Sequence, residues 1–417
     1  MSSVYNDIVN FEGGVSSMNA TAQLSKGHLY TPHILMLVFT MMLSFLGFGF
    51  VMPLRALYAS SSGLSSFDIG VMAGAASIAG FVASPFIGRL SDLFGARRVL
   101  TIALFLHSIV VLLYRDAHSP WSFILLRGCE GITSAGVAPP IRSLLNQTAP
   151  RGRLGEAFGL LDSARYAGIL LGPAAGSFMA SRFGYTGAFV CTATMLAFTG
   201  IVNLALMRQT RAVEPGPVRA VSLLPNLRTG HGSLYTLGLI LPFPFGVAES
   251  VWSLYMLHRG ASLPLIGLSY TAVAVPGLLL SSFIGRYTDR YGRKWPLIAG
   301  LLLSSIVFSM YALPLTPWWI IAISIPEGLA NTICRTAASG LLADRLKDSP
   351  MSAQVQANYS AMGVAGNFIG AIIGGALFNT GIGIPFLVEG LLFAVTGGIV
   401  ALRHFRLRNT ALDAKHF

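Results

Sequence analysis

The strongest constraint on the fold is a series of apolar runs, each about 20 residues long, separated by short polar breaks. A helix of about 20 residues crosses the ~30 Å hydrocarbon core of a bilayer and satisfies its own backbone hydrogen bonds there. The mean hydropathy of +0.66 agrees with such a protein. The runs begin near Pro32, Asp68, Arg98, Pro120, Gly155, Gly184, Gly232, Pro264, Lys294, Pro317, Ser352 and Gly383. The sequence therefore predicts an all-α integral membrane fold of twelve transmembrane helices.

The basic residues indicate the orientation in the membrane. Twelve spans place both termini on one side, whose segments carry 20 Lys and Arg and 9 Asp and Glu, against 3 and 2 on the other side. Because loops rich in Lys and Arg stay in the cytoplasm, both termini are predicted to be cytoplasmic. Arg97, Arg219 and Arg408 would then face the cytoplasm, and Asp116 and Arg259 the outside. The net positive charge thus reflects topology and not a nucleic-acid partner, which would need a basic face on a soluble domain.

The two halves of the chain repeat each other at an offset of 197 residues. Asp92 corresponds to Asp289 and Glu130 to Glu327, and similar matches extend over roughly ninety residues. Two six-helix repeats joined by a polar linker are a common design of transporters. The predicted organisation is a cytoplasmic N-terminal tail (1–31), a first six-helix half (32–207), a cytoplasmic linker (208–231), a second six-helix half (232–404) and a cytoplasmic tail (405–417).

A small charged turn, "GRLSDLFGARR", follows the second apolar run and recurs as "GRYTDRYGRK" after the eighth. Glycine lets two helices approach closely, and an aspartate can accept from helix N-terminal amides or pair with nearby arginines. The turn therefore suits a gate, although a basic loop that merely stops translocation is the alternative. The predicted gating residues are Gly88, Asp92, Arg97, Arg98, Gly285, Asp289 and Arg293.

These motifs make the chain similar to the major facilitator superfamily over essentially its whole length. The turn resembles motif A of that family, G-x-L-x-D-R-x-G-R-R, but departs from it at Leu93 and Ala96, where the family usually places basic residues. "RGCEGITSAG" resembles motif B, with Glu130 in place of the usual Gln, and "GILLGPAAGS" resembles motif C, with Ser177 replacing its last Gly. Motif C is associated with proton-coupled antiporters that export drugs and other small organic compounds. By the same resemblance, motif A locks the outward-open state.

The motif C stretch forms one small-residue face of a helix. Gly168, Gly172 and Gly176 recur at i, i+4 and i+8, which allows close packing, while Pro173 frees a backbone carbonyl and permits a bend. The four residues are predicted to give compliance at the interface between the halves. The alternative is an ordinary close-packed pair of helices.

Ten ionisable residues fall within the predicted spans, where each would cost about 2.5–3.5 kcal/mol at the centre of a lipid-facing helix. They must therefore face one another or a wet cavity. They are Arg55, Arg127, Glu130, Arg142, Asp162, Arg165, Glu249, Glu327, Arg335 and Glu389. Arg127 can pair with Glu130, and Asp162 with Arg165, at i,i+3 spacing. Arg142 is predicted to reach the cytoplasmic interface, and Glu389 to be interfacial near the outer end of the last helix.

Four of these residues, Arg55, Glu249, Glu327 and Arg335, have no evident partner on their own helix. They belong to helices 1, 7 and 10, which with helix 4 line the cavity of the fold that the chain resembles. Glu249 or Glu327 is predicted to carry the transported proton, with Glu130 and Asp162 as further candidates; buried ion pairing is the alternative. The predicted substrate-binding residues are Arg55, Arg127, Arg165, Arg335, Tyr58, Trp252 and Tyr255, although the aromatic ones would also suit an interfacial belt.

The predicted function is secondary active transport of a small organic solute by alternating access. A P-loop is absent, as are a nucleophile elbow and the H-E-x-x-H zinc motif, so neither ATP drive nor an enzyme is expected. No cofactor or metal is expected, because the three cysteines have no ligand spacing. Motif C implies efflux by exchange with protons. The arginines in the spans suit an anionic or zwitterionic substrate, so import by proton symport is the alternative, and a transporter-like sensor or scaffold is a remote one.

The expected partners are a small-molecule substrate, protons and the lipid bilayer, with the protein acting as a monomer. The first thirty residues lack a basic segment followed by a short apolar core, so no cleavable signal peptide is expected. Short outer loops suit a bacterial inner membrane.

Overall fold

The computed structural model describes residues 30–150, 152–206, 232–346 and 352–413, and of residues 206, 353 and 403–413 it describes the backbone alone. The linker predicted at 208–231, which contains Arg219, therefore lies outside the described residues. Residues 1–29 of the predicted N-terminal tail lie outside them as well. The side chain of Arg408 is outside them too.

The first half contains six helices. They are α1 (Pro32–Ser61), α2 (Ser66–Phe94), α3 (Ala96–Leu113), α4 (Pro120–Ala135, continued by Ala138–Thr148), and α5 (154–183) and α6 (185–206) within the continuous element Leu154–Leu206. A 3₁₀ turn, Tyr114–Asp116, follows α3. Gly184 separates α5 from α6, because its φ of 71° is accessible to glycine at little cost.

The second half repeats this arrangement. It contains α7 (Gly232–Ile240, Phe243–Val247, the π-helical Ala248–Trp252, and Ser253–His258), α8 (Leu263–Tyr291), α9 (Lys294–Met310), α10 (Pro317–Leu346), α11 (Ser352–Phe378) and α12 (Ile384–Asp413). Within the described residues, eight apolar helical stretches are long and apolar enough to cross a membrane, one of which, Leu154–Ala205, contains both α5 and α6. Each helix begins within two residues of its predicted start, and the predicted twelve-helix membrane fold is confirmed.

The polar breaks between the apolar runs contain helix caps. The Ser65 hydroxyl accepts from the Asp68 backbone N–H at 3.2 Å, and the Asp68 carboxylate accepts from the Ser65 backbone N–H at 3.1 Å. This capping box begins α2, and a Ser119–Ser122 pair begins α4 in the same way. Caps satisfy the first free N–H groups of a helix, so each break both ends one span and starts the next.

One helix contact is repeated in the two halves. A Cβ on Gly131 of α4 would lie 2.2 Å from the Ala76 carbonyl oxygen of α2, and a Cβ on Gly328 of α10 would lie 2.0 Å from the Val273 carbonyl oxygen of α8. Both pairs are related by the 197-residue offset. The repeat thus places Glu130 and Glu327, each next to one of these glycines, at corresponding positions.

The motif C glycines pack α5 against α1 within the first half. A Cβ on Gly168 or Gly172 would lie 2.7 Å from backbone atoms of Leu46, and one on Gly176 would lie 1.9 Å from the Phe50 carbonyl oxygen. Pro173 instead points its carbonyl oxygen at the second half, where a Cβ on Gly267 of α8 would lie 2.4 Å from it. The glycines therefore form a close-packed helix pair, and it is Pro173 that lies between the halves. Within Leu154–Leu206 the non-helical φ/ψ is at Gly184.

Replacing Gly176 by Leu is expected to destabilise the protein by about 3 kcal/mol or more. The new side chain would collide with the backbone of Phe50, and a helix backbone cannot move aside as easily as a flexible side chain can. Gly159, also on α5, is the matched control, since a Cβ there meets no atom within 4 Å. Gly159→Leu is expected to change stability by about 0.5 kcal/mol or less. Thermal unfolding of both variants in detergent measures the difference, and equal midpoints would show that the α1–α5 contact does not depend on glycine.

The two halves meet at one end of the molecule. Asp92 and Asp289 mark what we call the turn end, and Gly63 and Gly260, both with positive φ, mark the opposite end. On the opposite-end side, a Cβ on Gly70 of α2 would lie 2.5 Å from the Ala371 carbonyl oxygen of α11. On the turn-end side the last turns of α2 and α8 are largely exposed. The space between the halves therefore opens at the turn end.

Candidate functional site

A buried chain of alternating charges crosses the centre of the molecule. Arg55 of α1 forms an ion pair with Glu130 of α4, Arg127 of α4 contacts Glu130 at 2.9 Å, and Arg127 also pairs with Glu249 of α7. The side chains of these four residues are 2–10% exposed. Two positive and two negative charges balance, so the burial of each is offset by a partner.

Glu130 has further polar partners. The Tyr114 hydroxyl donates to it at 3.0 Å, and His107 Nε2 lies 3.7 Å from it, while His107 Nδ1 and the Thr133 hydroxyl are 2.7 Å apart. Two guanidinium groups and a phenol thus surround one carboxylate. Such an arrangement stabilises the ionised form of a carboxyl group and opposes its protonation.

Glu249 lies on a local irregularity of α7. The residues Ala248–Trp252 form a π-helical segment, which inserts extra width into the helix and re-aims the side chains around it. Glu249 thereby reaches Arg127, which belongs to the other half. Within the described parts of the chain, this is the ion pair that joins the two halves. The predicted intrahelical pair of Arg127 and Glu130 is present, but Arg127 is shared.

Glu327 has very different surroundings. It is partly exposed, and the Tyr311 hydroxyl donates to it at 2.7 Å. The Tyr311 hydroxyl also lies 3.3 Å from the Ser324 hydroxyl. Among the residues that the structure describes, no Lys, Arg or His lies within 4 Å of the Glu327 carboxylate.

The repeat makes this contrast specific. The two acids and the two tyrosines that donate to them correspond at the 197-residue offset, but the cations do not. Arg55 corresponds to Trp252, Arg127 to Ser324, His107 to Ser304 and Tyr114 to Tyr311. One carboxyl group therefore sits among cations, and its counterpart sits among neutral side chains.

The remaining predicted charges lie toward the turn end. Asp162 pairs with Arg142 at 2.7 Å, and not with Arg165 as the i,i+3 spacing suggested, because α4 and α5 bring Arg142 closer. Arg165 is half-buried and lies over the Phe45 ring at 4.9 Å. Arg335 of α10 is exposed and belongs to the other half of the chain from Arg165.

The predicted aromatic contacts are packed within each half. Tyr58 is partly buried, lies 5.3 Å from Phe189 between ring centroids, and donates to the Arg115 carbonyl oxygen at 3.0 Å. Trp252 donates to the Ser269 hydroxyl at 2.8 Å. Tyr255 donates to the Tyr311 carbonyl oxygen at 2.7 Å and is fully buried. In this conformation Trp252 and Tyr255 contact other side chains and face neither lipid nor open cavity.

The first predicted gating turn is largely exposed. Asp92 and Arg98 are exposed, and a Cβ on Gly88 would meet no atom within 4 Å. Arg97 donates to the Leu204 carbonyl oxygen at the end of α6, a favourable place for a cation. Among described ion pairs, none involves Asp92.

The second predicted gating turn is joined to α10 by an ion pair. Arg293 contacts Asp289 at 3.3 Å and Asp344 of α10 at 3.3 Å. At the 197-residue offset, Arg293 corresponds to Ala96 and Asp344 to Gln147. The first copy therefore lacks both members of this pair. A Cβ on Gly285, as on Gly88, would meet no atom within 4 Å.

Two residues of the buried centre escape reasoning from the sequence. Tyr114 donates to the buried Glu130, and Tyr311 donates to the partly exposed Glu327. Tyrosines at the ends of apolar runs look like interfacial anchors. The 197-residue offset relates them, so the repeat was the signal that could have identified them. The described residues contain no group of three or more His, Cys, Asp or Glu side chains that could hold a metal ion.

Comparison with known proteins agrees with this architecture. The family model "Major Facilitator Superfamily" matches residues 37–257 and again 234–415. Multidrug resistance protein MdtG of Dickeya zeae (strain Ech586) is 29% identical over 310 residues, which cover 71% of this chain and 75% of that protein. Quinolone resistance protein NorA of Staphylococcus aureus (strain MRSA252) is 27% identical over 365 residues, covering 84% and 91%.

Solved structures share the fold. The nucleoside transporter NupG superposes with a TM-score of 0.73 at 15% identity, covering 90% of this chain and 99% of that one. A bacterial homologue of the human lysosomal transporter Spinster gives a TM-score of 0.73 at 14% identity, covering 89% and 97%. Relatives and structural neighbours are transporters, which confirms that the chain is not an enzyme. With twelve helices in two repeats, a central charged site and a family match over nearly its whole length, the chain belongs to the major facilitator superfamily and is a secondary active transporter.

Proposed function

We propose that this transporter exports small organic compounds in exchange for protons. Two relatives carry the names multidrug resistance protein and quinolone resistance protein. A membrane transporter confers resistance when it lowers the internal concentration of a drug, so these names favour efflux. Import of an organic anion together with protons, the predicted alternative, is not favoured.

The observation that carries the proposal is the contrast between two repeat-related acids. Glu130 is held by Arg55 and Arg127, whereas Glu327 has a tyrosine hydroxyl and neutral neighbours. A carboxyl group can exchange a proton at moderate cost only if no fixed cation holds it ionised and no fully apolar cavity holds it neutral. Glu327 meets that condition, because it is partly exposed and has no described cation within 4 Å. We therefore assign the coupling proton to Glu327, with Glu249 as the group that links it to the other half.

Arg165 and Arg335 support a substrate with an acidic group. Neither forms an ion pair with a carboxylate among the described residues, and both lie toward the open end of the cavity. Two unpaired guanidinium groups across a cavity suit a carboxylate, which each can bind through a charge-assisted hydrogen bond. A compound that also carries a positive group could contact Glu327. A zwitterionic compound satisfies both requirements.

The proposal includes the predicted topology. The excess of Lys and Arg on one side places the turn end in the cytoplasm, in the inner membrane of a bacterium, with a monomer as the transporting unit. The described conformation, open at the turn end, is then the one that binds substrate from the cytoplasm. The exposed Asp92 agrees with an open cytoplasmic gate.

Uptake into proteoliposomes under an imposed pH gradient tests the direction of coupling. Antiport is expected to accumulate norfloxacin, a fluorescent quinolone, when the vesicle interior is acidic, because protons leave as the compound enters. A gradient of ~1 pH unit supports up to about tenfold accumulation per exchanged proton, since a factor of ten corresponds to ~1.4 kcal/mol. The result does not depend on which way the protein is inserted.

Protein-free vesicles are the necessary control, because a weak base also accumulates passively in an acidic interior. Accumulation driven instead by an acidic exterior would establish symport and overturn antiport. Protein-dependent uptake that ignores the gradient would show that protons are not coupled. No protein-dependent uptake of quinolones, dyes or organic acids would favour the sensor or scaffold alternative.

A further inference from the structure

One edge of the Arg127 guanidinium is used by a residue of the other half of the chain. Arg127 Nη1 lies 2.9 Å from Glu130 Oε2, whereas Nη2 contacts Glu249 of α7. The Nε atom, on the same edge as Nη2, is buried and has no hydrogen-bond partner. A carboxylate that faced this edge squarely would accept from Nε and Nη2 together, which is the favoured geometry between arginine and a carboxylate. The edge is therefore an anion-binding site that Glu249 fills in part.

The charges of the first half make this edge attractive to an anion. Arg55, Arg127 and Glu130 carry two positive charges and one negative charge, and their side chains are 2–8% exposed. The balancing negative charge comes from Glu249 of the second half. Because a buried cation without a counter-charge is costly, the first half needs another anion at Arg127 in any conformation that separates it from Glu249. A carboxylate of the transported compound can supply that charge.

The exposed face of α7 leads from this ion pair to the open end of the molecule. Most of residues 243–250 are buried; the exceptions are Phe245, Ala248 and Glu249, which share one helix face at i, i+3 and i+4. That face is turned toward the first half, because Glu249 contacts Arg127. Phe245 is 52% exposed and lies one turn nearer the turn end, where the space between the halves opens. A compound that enters there meets the Phe245 ring before it reaches the ion pair.

We propose that the transported compound is a zwitterion that inserts between Arg127 and Glu249. Its carboxylate binds Arg127 in place of Glu249, its positive group pairs with the released Glu249 carboxylate, and its apolar body lies against Phe245. Two ion pairs then replace one, so neither half keeps an uncompensated buried charge. A compound with a single charge pairs with one of the two residues and leaves the other unpaired.

This inference deepens the proposed function and rests on it, because it names the substrate class of the same transport cavity. The positive group of the substrate pairs with Glu249, so Glu327 stays available for the coupling proton. The ion pair that joins the two halves then opens when a compound that carries both charges takes its place.

Three compounds with the same benzene ring and different charges test the site by binding alone. They are para-aminomethylbenzoate, a zwitterion, para-toluate, an anion, and para-methylbenzylamine, a cation. Titration calorimetry of the purified protein in detergent measures their dissociation constants. The wild-type protein is expected to bind the zwitterion at least about tenfold more tightly than the other two, because each of those leaves one buried charge unpaired. Glu249→Gln is expected to bind para-toluate within about twofold of the zwitterion, since Arg127 alone remains to be paired.

Glu156→Gln is the matched control, because Glu156 is half exposed and pairs with Arg153, and it is expected to keep the wild-type preference. If Glu249→Gln fails to fold, the double variant Arg127→Met, Glu249→Gln replaces it. That variant leaves no unpaired ion at this site, and it is expected to bind all three compounds equally weakly. Phe245→Ala is expected to weaken the binding of all three compounds by a similar factor, and unchanged binding would exclude Phe245 from the site.

A wild-type protein that binds para-toluate as tightly as the zwitterion, or that fails to bind the zwitterion, would overturn the proposal. So would a variant without the Glu249 carboxylate that still prefers the zwitterion as the wild type does. The expected preference in a protein that does not exchange solutes for protons would reject the proposed function alone. Proton-driven export without any preference among the three compounds would reject this inference alone.

Discussion

Glu327→Gln is expected to abolish gradient-driven accumulation of substrate while leaving exchange of substrate for substrate nearly intact. Glutamine keeps the size of the side chain and can still accept from the Tyr311 hydroxyl, but it cannot release a proton. Accumulation requires net proton movement, whereas exchange does not. We expect accumulation to fall at least tenfold, to the level of protein-free vesicles, and exchange to change by less than about twofold; proteoliposome uptake with and without internal substrate measures both.

Glu249→Gln separates coupling from charge balance. It removes a carboxylate that Arg127 already holds, so we expect it to impair exchange as well as accumulation. Glu156→Gln, on an exposed turn of α5, is expected to affect neither. If Glu327→Gln and Glu249→Gln both still accumulate substrate, the coupling site lies elsewhere, and Glu130 or Asp162 becomes the next candidate.

The twelve helices could be predicted from the sequence because their signal is local. A run of about 20 apolar residues has one low-energy arrangement in a bilayer, and polar caps such as Ser65 and Asp68 mark its ends. The repeat could be predicted too, because glycines such as Gly131 and Gly328 meet backbone in both halves and tolerate no larger side chain.

The partners of the buried charges could not be predicted, because they come from distant parts of the chain. Arg55 and Glu130 are 75 residues apart, and no periodicity in the sequence relates them. Local spacing paired Asp162 with Arg165, whereas helix packing gives it Arg142. A π-helical segment also has no pattern that would predict the direction of Glu249. The charged residues of the site could be identified from residue type and from their positions in predicted helices. Which of the acids form ion pairs is decided by how the helices pack against one another.

Glu389 shows the same limit for depth in the membrane. Its position five residues into α12 predicts an interfacial side chain, since an acid near a helix end usually reaches water. In the folded protein, however, only 1% of the Glu389 side chain is exposed. The solvent exposure of a side chain near a helix end depends on which residues of the neighbouring helices pack against it. The sequence of that one helix does not contain this information.

Arg127→Met is expected to lower the free energy of unfolding by about 3 kcal/mol or more and to abolish transport. Arg127 is the shared cation of Glu130 and Glu249, and removing one partner of a buried pair leaves an uncompensated charge at a cost of about 3–5 kcal/mol. Glu130 keeps Arg55, so the penalty falls mainly on Glu249. Methionine keeps an unbranched apolar stem but carries no charge, and thermal unfolding in detergent measures the loss.

The double variant Arg127→Met, Glu249→Gln tests whether the loss is one of charge. Removing both partners leaves no buried ion without a counter-charge, so we expect it to recover most of the stability, with a coupling energy of about 2 kcal/mol in the double-mutant cycle. Transport is expected to remain absent, because the double variant lacks the ion pair between Arg127 of α4 and Glu249 of α7. Among the described residues, that ion pair is the one that joins the two halves. A double variant no more stable than Arg127→Met would mean that Arg127 acts through its packing. A double variant that transports normally would mean that the two halves change their relative positions without this contact.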